Sequence, residues 1–152
     1  MYFNSFGQLA RDINALGQET VNEYDGLNRL ISVTFPELNV ISSTYDNNNN
    51  ELTKTWQAKP GSPLANIVNT FEYDATWNKV SSFTDGENNT TTFEYDATQG
   101  TLLAITRPTI GMDTPTVTFT YNSRGQIETR TDETGIVDKF EYDATNETLL
   151  TA

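Results

Sequence analysis

Pairs of carboxylates flank a tyrosine at four places in the chain. Each is a Glu-Tyr-Asp triplet: Glu23-Tyr24-Asp25, Glu72-Tyr73-Asp74, Glu94-Tyr95-Asp96 and Glu141-Tyr142-Asp143. Carboxylate pairs are the groups that carry out glycoside hydrolysis. A catalytic pair is normally a single differentiated site, however, whereas repetition in four places indicates a structural role. We therefore interpret each Asp as the cap of a turn and each Glu as a solvated side chain.

The composition removes most other catalytic groups. The 152 residues contain no Cys and no His, so thiolate nucleophiles, His-based triads and Cys/His zinc sites are excluded. Ser and Thr are plentiful, but nothing in the sequence would activate one as a nucleophile. Nine Lys and Arg against 21 Asp and Glu give a net charge of −12, which repels nucleic acid and anionic membranes. We expect no enzyme activity, no cofactor and no nucleic-acid partner.

One acidic segment partly matches a calcium-binding loop. The segment 46–51, DNNNNE, has oxygen ligands at the first, third and fifth positions of such a loop. Glu51 stands where the loop needs Gly, and Gln57 stands where it needs a bidentate Glu. An Asn-rich hairpin turn is the better interpretation, although Asp85-Gly86-Glu87-Asn88 leaves weak adventitious cation binding open. We predict no dedicated metal site.

Two further motifs concern sugars. Residues 88–90, 89–91 and 146–148 are formal N-glycosylation sequons, which a sequence rich in Asn and Thr produces by chance. Trp56 and Trp77 flank a pair of adjacent repeats, and aromatic faces suit pyranose rings. A sugar-stacking platform is one interpretation of the two indoles, and packing or hairpin cover is the other.

The tyrosines mark an internal repeat. The seven of them are separated by 22, 21, 28, 22, 26 and 21 residues, and each of the last six is followed by Asp or Asn. An aliphatic residue follows four to six positions after that Asp or Asn. The tyrosines are Tyr2, Tyr24, Tyr45, Tyr73, Tyr95, Tyr121 and Tyr142, and the aliphatic residues are Leu9, Leu30, Leu52, Val80, Leu102, Ile127 and Leu149. Each repeat thus reads as strand, turn and strand.

A period of two assigns the elements to strands. Pairs such as Phe71 and Tyr73 place aromatics on one face, while Glu72 and Asp74 take the other face. Abundant Thr also favours strands and disfavours helices. One alternative stays open: Leu9, Ile13 and Leu16 have helical spacing, although Gly7 and Gly17 bracket them.

Glycine and proline place the turns. All nine glycines fall between predicted strands, and all five prolines belong to the second class of turn, which precedes the next tyrosine strand. The two longest intervals carry their extra length at 59–63 and 107–111, both in that second class. Variation in length is therefore expected along one edge of the sheet.

These features predict an all-β protein. About seven hairpin-like units over residues 1–152 should pair side by side into one continuous, twisted, antiparallel β-hairpin sheet. The sheet should have open edges, because Tyr2 has no preceding strand and Leu149–Ala152 begin a strand that is not continued. We expect the chain to be a fragment of a longer repeat array, and we expect self-association through the open edges.

The same residues resemble a known family. Residues 24–30, YDGLNRL, followed by the Thr-Asp-x-x-Gly pattern at 131–135, resemble the YD repeat of Rhs proteins, and six copies in register extend the resemblance over essentially the whole chain. The family includes bacterial Rhs toxins, the shell-forming subunits of Tc toxins, wall-associated proteins and teneurins. The resemblance implies a β-hairpin ribbon wound into a shell, which in toxins encloses a C-terminal effector. The self-cleavage site and variable toxin that usually follow such a shell have no counterpart here.

The resemblance sets the functional expectation. The chain should be a non-catalytic structural segment that forms shell wall, with neighbouring repeats and an encapsulated effector as partners and a secreted or cell-surface location. No signal peptide or membrane-spanning segment is expected from its hydropathy. The alternative is an adhesion module that binds glycan or protein through the Pro-rich loops at 60–63 and 108–115. The net charge of −12 makes a polyanion such as heparin a poor ligand.

Overall fold

The computed structural model describes residues 1–145 and 148–151, and these residues are organised almost entirely as strands and tight turns. Fifteen strands are present in the described part of the chain: β1 (Tyr2–Phe3), β2 (Leu9–Ile13), β3 (Glu19–Tyr24), β4 (Leu30–Thr34), β5 (Val40–Tyr45), β6 (Glu51–Gln57), β7 (Ile67–Tyr73), β8 (Val80–Thr84), β9 (Thr90–Tyr95), β10 (Leu102–Thr106), β11 (Thr116–Tyr121), β12 (Ile127–Thr131), β13 (Val137–Lys139), β14 (Glu141–Tyr142) and β15 (Leu149–Thr151). The all-β prediction is confirmed. Within the described residues, no helical segment has the length and apolarity that crossing a lipid bilayer requires.

The strands are neighbours in the order in which the chain makes them. β1 to β13 form one sheet in sequence order, with antiparallel pairing, and β14 pairs with β15 in a separate two-stranded sheet. The predicted antiparallel hairpin sheet is thus confirmed up to β13. The helical alternative for Leu9–Leu16 is wrong, because Leu9–Ile13 is β2 and residues 14–18 are a turn.

The sheet was predicted to be continuous, and it is interrupted before its last hairpin. The N–H of Phe140, between β13 and β14, donates to the carbonyl of Glu128 at 2.9 Å. Glu128 is an extra residue in β12, since Tyr121 faces Ile127 while Thr120 faces Thr129. Similar extra residues in β4, β6 and β10 do not interrupt the sheet, so the bulge alone does not account for the break.

The chain divides into two compact units. The first comprises Met1–Phe71 and Thr84–Asn88, and the second comprises Glu72–Phe83 and Asn89–Ala152. The first unit contains β1 to β6, and the second contains β9 to β15 apart from the undescribed residues. Each unit contains one tryptophan, Trp56 in the first and Trp77 in the second.

Side chains alternate between an apolar and a polar face, as the period of two predicts. In the second unit Phe93 faces Ile105, and Ile105 in turn faces Val117, so these three share one face. The opposite face is rich in threonine, and Thr120 and Thr129 are hydrogen-bonded across it at 2.7 Å. Cross-strand pairs of this kind are the units that stabilise a sheet.

The apolar face has little cover. Val117, 5% exposed, is the one buried large apolar side chain among the described residues. The chain exposes 10376 Å² of surface, whereas a folded monomer of 17.0 kDa exposes about 7,700 Å². About 2,700 Å² more surface than usual therefore stays in contact with solvent.

Candidate functional site: the tyrosine rim

The turns that follow the odd-numbered strands β1 to β11 carry the predicted repeat, and we call the edge that they form the tyrosine rim. In the first unit it consists of turns 4–8, 25–29 and 46–50, and in the second unit of turns 74–79, 96–101 and 122–126. The turns after the even-numbered strands form the opposite rim. The glycines and prolines all lie outside strands, as predicted, and the long loops 58–66 and 107–115 both lie on the opposite rim.

A β-bulge accompanies each tyrosine whose strand register is known. Tyr24 faces Leu30 while Glu23 faces Ser32, so Ile31 is an extra residue in β4. The same insertion recurs directly after the residue that faces each of the other aromatic positions. In the third repeat that residue is Glu51, so Leu52, the predicted aliphatic partner, is itself the extra residue. The extra residues are Ala10, Ile31, Leu52, Leu103, Glu128 and Leu150. Bulges bend a strand and increase its twist, so the sheet is bent at regular intervals.

The register corrects the start of the first repeat. Phe3, not Tyr2, faces Leu9 next to turn 4–8, so Phe3 occupies the place that Tyr24 has in the next repeat. Tyr2 faces Arg11 and stacks under its guanidinium at 4.3 Å. The sequence spacing missed this by one residue, because Tyr2 and Phe3 are adjacent aromatics and the spacing of tyrosines cannot choose between them.

The tyrosine hydroxyls bind the backbone of the preceding strand. In each described case the hydroxyl donates to the carbonyl of the aliphatic residue that begins the preceding strand. The bonds are Tyr24 to Leu9 at 3.0 Å, Tyr45 to Leu30 at 2.9 Å, Tyr95 to Val80 at 2.8 Å and Tyr121 to Leu102 at 2.7 Å. Burial raises the pKa of Tyr95 and of Tyr121 above the usual value of 10.0. The hydroxyls of Tyr95 and Tyr121 therefore stay protonated donors. Each of the four bonds joins two strands at the end of a hairpin.

The Asp after each tyrosine caps the turn. The Oδ1 atom of Asp25 accepts the N–H groups of Leu27 at 2.9 Å and Arg29 at 3.0 Å, and its Oδ2 atom accepts from Arg29 Nε at 2.7 Å. Asn28 follows with φ of 65° in the left-handed region. This is a three-residue hairpin loop, a type I turn completed by a left-handed residue. The interpretation of Asp as a turn cap agrees with this geometry.

The capped turn recurs on both rims, which the sequence analysis did not recognise. Side-chain oxygens of Asn14 and Asp132, on the opposite rim, accept the same pair of N–H groups as Asp25 does. Within residues 4–25, 74–96 and 122–143, an Asp or Asn therefore opens a turn every 10 or 11 residues, half the usual tyrosine interval. The turns with this geometry open with Asn4, Asn14, Asp25, Asp46, Asn122 and Asp132, and six-residue variants open with Asp74 and Asp96.

One turn departs from this pattern. Turn 35–39 opens with Phe35, which has no side-chain acceptor, and its left-handed residue is Leu38, with φ of 66°. Gly or Asn occupies the left-handed position in the other described turns of this kind. The left-handed conformation costs a residue with a Cβ atom roughly 1–2 kcal/mol. Turn 35–39 is thus strained relative to its neighbours.

Hydrogen bonding lowers the pKa of four capping carboxylates, those of Asp25, Asp46, Asp96 and Asp132. A backbone N–H from Arg29 is the main cause for Asp25, and the hydroxyl of Thr98 is the main cause for Asp96. The hydroxyl of Thr134 does the same for Asp132. For Asp46, desolvation acts to raise the pKa, but bonds from Asn50 and Asn48 outweigh it. These groups are ionised acceptors at neutral pH, whereas a general acid needs a raised pKa.

Side chains bridge successive turns along the tyrosine rim. Arg29 Nη1 donates to the carbonyl of Asp46 at 2.6 Å while its guanidinium lies over the Tyr45 ring at 4.9 Å. Lys79 Nζ likewise donates to Gly100 O at 2.7 Å, with Nζ 5.4 Å from the Tyr95 ring. Further bridges run from Gln8 to Asn28 at 2.9 Å and from Arg124 to Ala144 at 3.1 Å. The rim is thus held by donors that the tyrosine pattern alone does not reveal.

Trp77 covers the next turn of the same rim. Gly100 is buried with φ of +68°, and a Cβ atom there would lie 2.6 Å from Cδ2 of the Trp77 indole. The indole Nε1 atom is buried without a hydrogen-bond partner in the described part of the chain. Trp56 lies between Ile41 and Ile67 on the neighbouring strands. Trp77 is therefore engaged in packing, which favours the second of the two interpretations for this indole.

The remaining predicted sites are also engaged in turns. Both carboxylate oxygens of Asp46 are hydrogen-bonded, Oδ1 to the N–H groups of Asn48 and Asn50 and Oδ2 to the Asn50 side chain at 2.8 Å. In the described ranges, no group of three or more acidic or His/Cys side chains is arranged to hold a metal ion. Asn88, in the first sequon, takes the left-handed position of its turn with φ of 66°. The sequon at 146–148 includes residues 146 and 147, which lie outside the described residues.

The two carboxylates of the 72–74 triplet bind separate partners. Glu72 Oε2 accepts from Ser82 Oγ at 2.8 Å on the adjacent strand. Asp74 Oδ1 instead accepts the backbone N–H groups of Thr76 at 2.9 Å and Trp77 at 2.7 Å. One carboxylate of the triplet serves the sheet and the other serves the turn. Four surface grooves, with volumes of about 230, 240, 310 and 380 Å³, lie along the sheet, and Asp96 and Glu141 each line one of them.

Comparison with solved structures identifies the fold. The chain is similar to a crystal structure of TcdB2-TccC3-TEV, with a TM-score of 0.69 and 14% identity over 95% of this chain and 8% of that one. A structure of TcdB2-TccC3 without its hypervariable C-terminal region gives 0.60 and 15% identity over 96% and 10%, and one of TcdB2-TccC3 gives 0.58 and 14% over 95% and 10%. The fold is therefore that of the Rhs/YD-repeat shell in these Tc toxin structures.

The likeness covers nearly all of this chain but only a small part of each compared structure. The chain spans about a tenth or less of the length of these structures, although they cover nearly all of the chain. Comparison with protein-family models gives no match, and comparison with curated proteins gives none either. The resemblance to Rhs and Tc shell proteins, expected from the Tyr-Asp pattern, is confirmed at the level of the fold.

Proposed function

We propose that the chain is a structural, non-catalytic segment of the wall of a β-sheet shell, within a longer Rhs/YD-repeat protein. The observation that carries this proposal is the likeness of fold to the TcdB2-TccC3 shell along 95% of the chain. The unusually large exposed surface supports it, because a wall segment relies on neighbouring repeats to cover its faces. The Asp and Tyr side chains of the tyrosine rim have structural tasks: they cap turns and join strands.

The absence of catalysis is part of this proposal. Capping aspartates with lowered pKa values are poor proton donors, and the two carboxylates of the 72–74 triplet bind separate partners. Assay of the purified chain against a panel of glycosides tests this part. We expect no turnover above background; turnover abolished by Asp74→Asn and Glu72→Gln would contradict it.

An effector enclosed by the wall is the finer form of the proposal. In the full gene product, sequence outside the repeats should resist protease while the wall is intact and become sensitive once the wall is denatured. Time-resolved digestion followed by mass spectrometry measures this protection. Digestion of the outside sequence as fast as free polypeptide, with the wall still intact, would overturn the enclosure. We propose a secreted or cell-surface location on the same grounds, because Tc toxins with this fold are secreted complexes.

A second candidate function is adhesion through the opposite rim, and the geometry of loop 107–115 favours it. The loop is itself a small hairpin, in which Ile110 and Asp113 exchange backbone hydrogen bonds of 2.8 and 3.1 Å and Gly111 has a φ of 66°. Ile110 is 74% exposed and Met112 is fully exposed at its tip. An ordered loop that presents apolar side chains loses little entropy on binding.

Loop shortening tests adhesion. Replacing residues 108–114 with a tight turn should abolish binding to a glycan array or a surface protein if this loop recognises either one. The matched control shortens loop 58–66 alone. Unchanged binding after both loops are shortened would eliminate adhesion through this rim.

Self-association through the sheet edges completes the proposed set of partners. Among the described residues β1 pairs with β2 and β13 pairs with β12, so the outer backbone groups of these two edge strands are a template for another chain. Introducing a lysine in β1 and in β13 should then reduce association of the purified chain. Sedimentation that shows equal association with and without these lysines would contradict a role for the edges.

A further inference from the structure

Two successive turns of the tyrosine rim in the second unit share one backbone conformation and differ in their side chains. Turns 74–79 and 96–101 both open with an Asp whose N–H donates to the carbonyl of the last residue at 2.8 Å, and the fifth residue of each is left-handed. Trp77 and Lys79 of the first turn correspond to Gln99 and Thr101 of the second. The two turns therefore provide an internal comparison of side chains on the same backbone.

The long side chains of turn 74–79 cover the turn that follows it. Lys79 Nζ donates to Gly100 O at 2.7 Å and lies over the Tyr95 ring, 5.4 Å from its centre. Trp77 packs against Gly100, where an added Cβ atom would lie 2.6 Å from the indole. An ammonium group over an aromatic ring is attracted by the negative face of the ring. The chain itself thus shows which chemical group fits this place on the rim.

The first unit has the same arrangement with a guanidinium group. Arg29 is the last residue of its turn, lies over the Tyr45 ring at 4.9 Å and donates to Asp46 O in the following turn at 2.6 Å. In both units, a cation from the end of one turn therefore lies above the next tyrosine ring. Turn 96–101 ends instead with Thr101, which is shorter and carries no charge.

A groove of about 380 Å³ lies beside Thr101, where the cation is missing. Its lining includes Asp96, Gln99, Thr101, Phe119, Tyr121 and Ser123. Gly125, the counterpart of Gly100 in the following turn, is exposed, and an added Cβ atom there would meet nothing within 4 Å. Its carbonyl accepts no hydrogen bond within the described part of the chain. The groove has a size typical of small-ligand sites.

The carboxylate of Asp96 gives the groove a negative charge. Its Oδ1 atom accepts from Thr98 and Gln99, whereas its Oδ2 atom accepts no bond among the described residues. In Asp25 the corresponding Oδ2 atom is held by Arg29 at 2.7 Å. The hydroxyl of Thr98 and the neighbouring N–H groups hold the pKa of Asp96 below 3.8, so the carboxylate is ionised at neutral pH. The net charge of −12 also attracts cations to the surface.

We propose that this groove, between turns 96–101 and 122–126, binds a primary alkylammonium group. The ammonium takes the place that Lys79 has at the preceding turn, over the Tyr121 ring and beside the Asp96 carboxylate. Its alkyl stem lies along Phe119 and Tyr121, as lysine stems generally lie along apolar surface. Binding does not require a shell, so failure of this proposal leaves the proposed wall function standing.

Nuclear magnetic resonance titration with a blocked lysine, N-acetyl-lysine methylamide, tests the site. We expect saturable shifts centred on Tyr121, Ser123 and Gly125, with a dissociation constant on the order of 1 mM. N-acetyl-norleucine methylamide has the same alkyl stem without the charge and should give no saturable shift. The absence of saturable shifts with blocked lysine at about ten times that concentration, or equal binding of the two probes, would overturn the proposal.

Butylammonium distinguishes the two sources from which the ammonium group can come. Tighter binding of blocked lysine than of butylammonium assigns the site to a lysine of another polypeptide, because the peptide groups then add contacts. Equal binding of the two probes assigns the site to a free amine. Each result supports an alkylammonium site.

Removal of one charge tests the role of Asp96. Asp96→Asn keeps the turn cap, and it should raise the dissociation constant of blocked lysine about twofold to fivefold, the contribution of one partly exposed ion pair. Asp132→Asn is the matched control, because Asp132 caps a turn in the same way on the opposite rim. It should leave the dissociation constant unchanged. Equal weakening by the two variants would show an effect of net charge alone and would overturn the proposal.

Thr101→Lys supplies the ammonium from the chain itself. It should raise the urea midpoint of the second unit, followed by Trp77 fluorescence, and should abolish binding of blocked lysine. Thr101→Ser leaves the groove open and should change neither quantity. Circular dichroism that matches wild type establishes that each variant folds. A Thr101→Lys variant with a lower midpoint, or one that still binds blocked lysine as wild type does, would contradict the proposed site.

Discussion

Removing the hydroxyl of a tyrosine that joins two strands should lower the free energy of unfolding of the sheet. In the second unit, Tyr95→Phe loses the 2.8 Å bond to Val80 and Tyr121→Phe loses the 2.7 Å bond to Leu102, and both bonds are partly buried. A net hydrogen bond in such a place contributes about 1 kcal/mol to the free energy of unfolding. The two tyrosines lie two strands apart, about 10 Å, so the double variant should lose about 2 kcal/mol.

The chain offers a clean assay for this prediction. Trp77 is the only tryptophan of the second unit, and Trp56 is the only one of the first. In a Trp56→Phe background, fluorescence during urea denaturation reports the second unit through Trp77. The slope of the free energy against urea should stay constant if only stability changes.

Tyr2 supplies the control. Its ring stacks under Arg11 at 4.3 Å, and its hydroxyl makes no hydrogen bond among the described residues, so Tyr2→Phe should change the free energy of unfolding by less than about 0.5 kcal/mol. The effect of Tyr2→Phe on the free energy of unfolding is measured by the fluorescence of Trp56, which lies in the same unit as Tyr2. A Tyr95→Phe, Tyr121→Phe variant as stable as its parent, or a loss in Tyr2→Phe equal to that of Tyr95→Phe, would refute the idea that the hydroxyls join the strands.

Three further substitutions test the turns of the tyrosine rim. Gly100→Ala should lower the free energy of unfolding by more than about 1 kcal/mol, because the added Cβ atom would lie 2.6 Å from the Trp77 indole. Gly26→Ala is the control. Gly26 has open space around it and an ordinary φ, so this change should leave the free energy of unfolding unchanged in the same urea titration. Lys79→Met should lower it by about 1 kcal/mol through loss of the bond to Gly100 O, and an unchanged midpoint would refute the bridge. Asp25→Asn keeps the turn cap but removes its charge. Because the pKa of Asp25 in the folded state is lowered below 3.8, the ionised carboxylate stabilises the fold above pH 3.8. This stabilisation disappears as the pH falls through the folded-state pKa. A stability difference between wild type and Asp25→Asn that is the same at pH 7 and pH 2 would contradict this sign.

Much of the fold can be predicted from the sequence because its signals are local and repeated. Alternation of Phe93, Glu94 and Tyr95 places the aromatics half-buried and the glutamate exposed, as the structure has them. Gly and Pro mark the turns because their backbone conformations are nearly unique. Local signals of this kind need no knowledge of distant contacts.

The bulges could not be predicted in the same way. Ile31 is an extra residue only by comparison with β3, and nothing in its own type distinguishes it from a paired residue. Register is a property of two strands together, whereas alternation is a property of one.

The turn caps could have been found in the sequence. Asn14 and Asp132 open turns of the same geometry as Asp25, and an Asp or Asn recurs every 10 or 11 residues within 4–25, 74–96 and 122–143. The tyrosine spacing does not reveal this signal, because the repeat tyrosines lie on one rim. The bridges from Arg29 and Lys79 were not available, since they depend on which turn lies beside which.

A cryo-electron microscopy reconstruction of the full gene product that carries this chain tests the central claim most directly. We predict that the strands Tyr2–Lys139 lie in chain order within the wall of a larger β-sheet shell, with both rims in contact with other protein. A reconstruction in which these strands form a separate domain outside any shell, with rims and apolar face in solvent, would contradict the account.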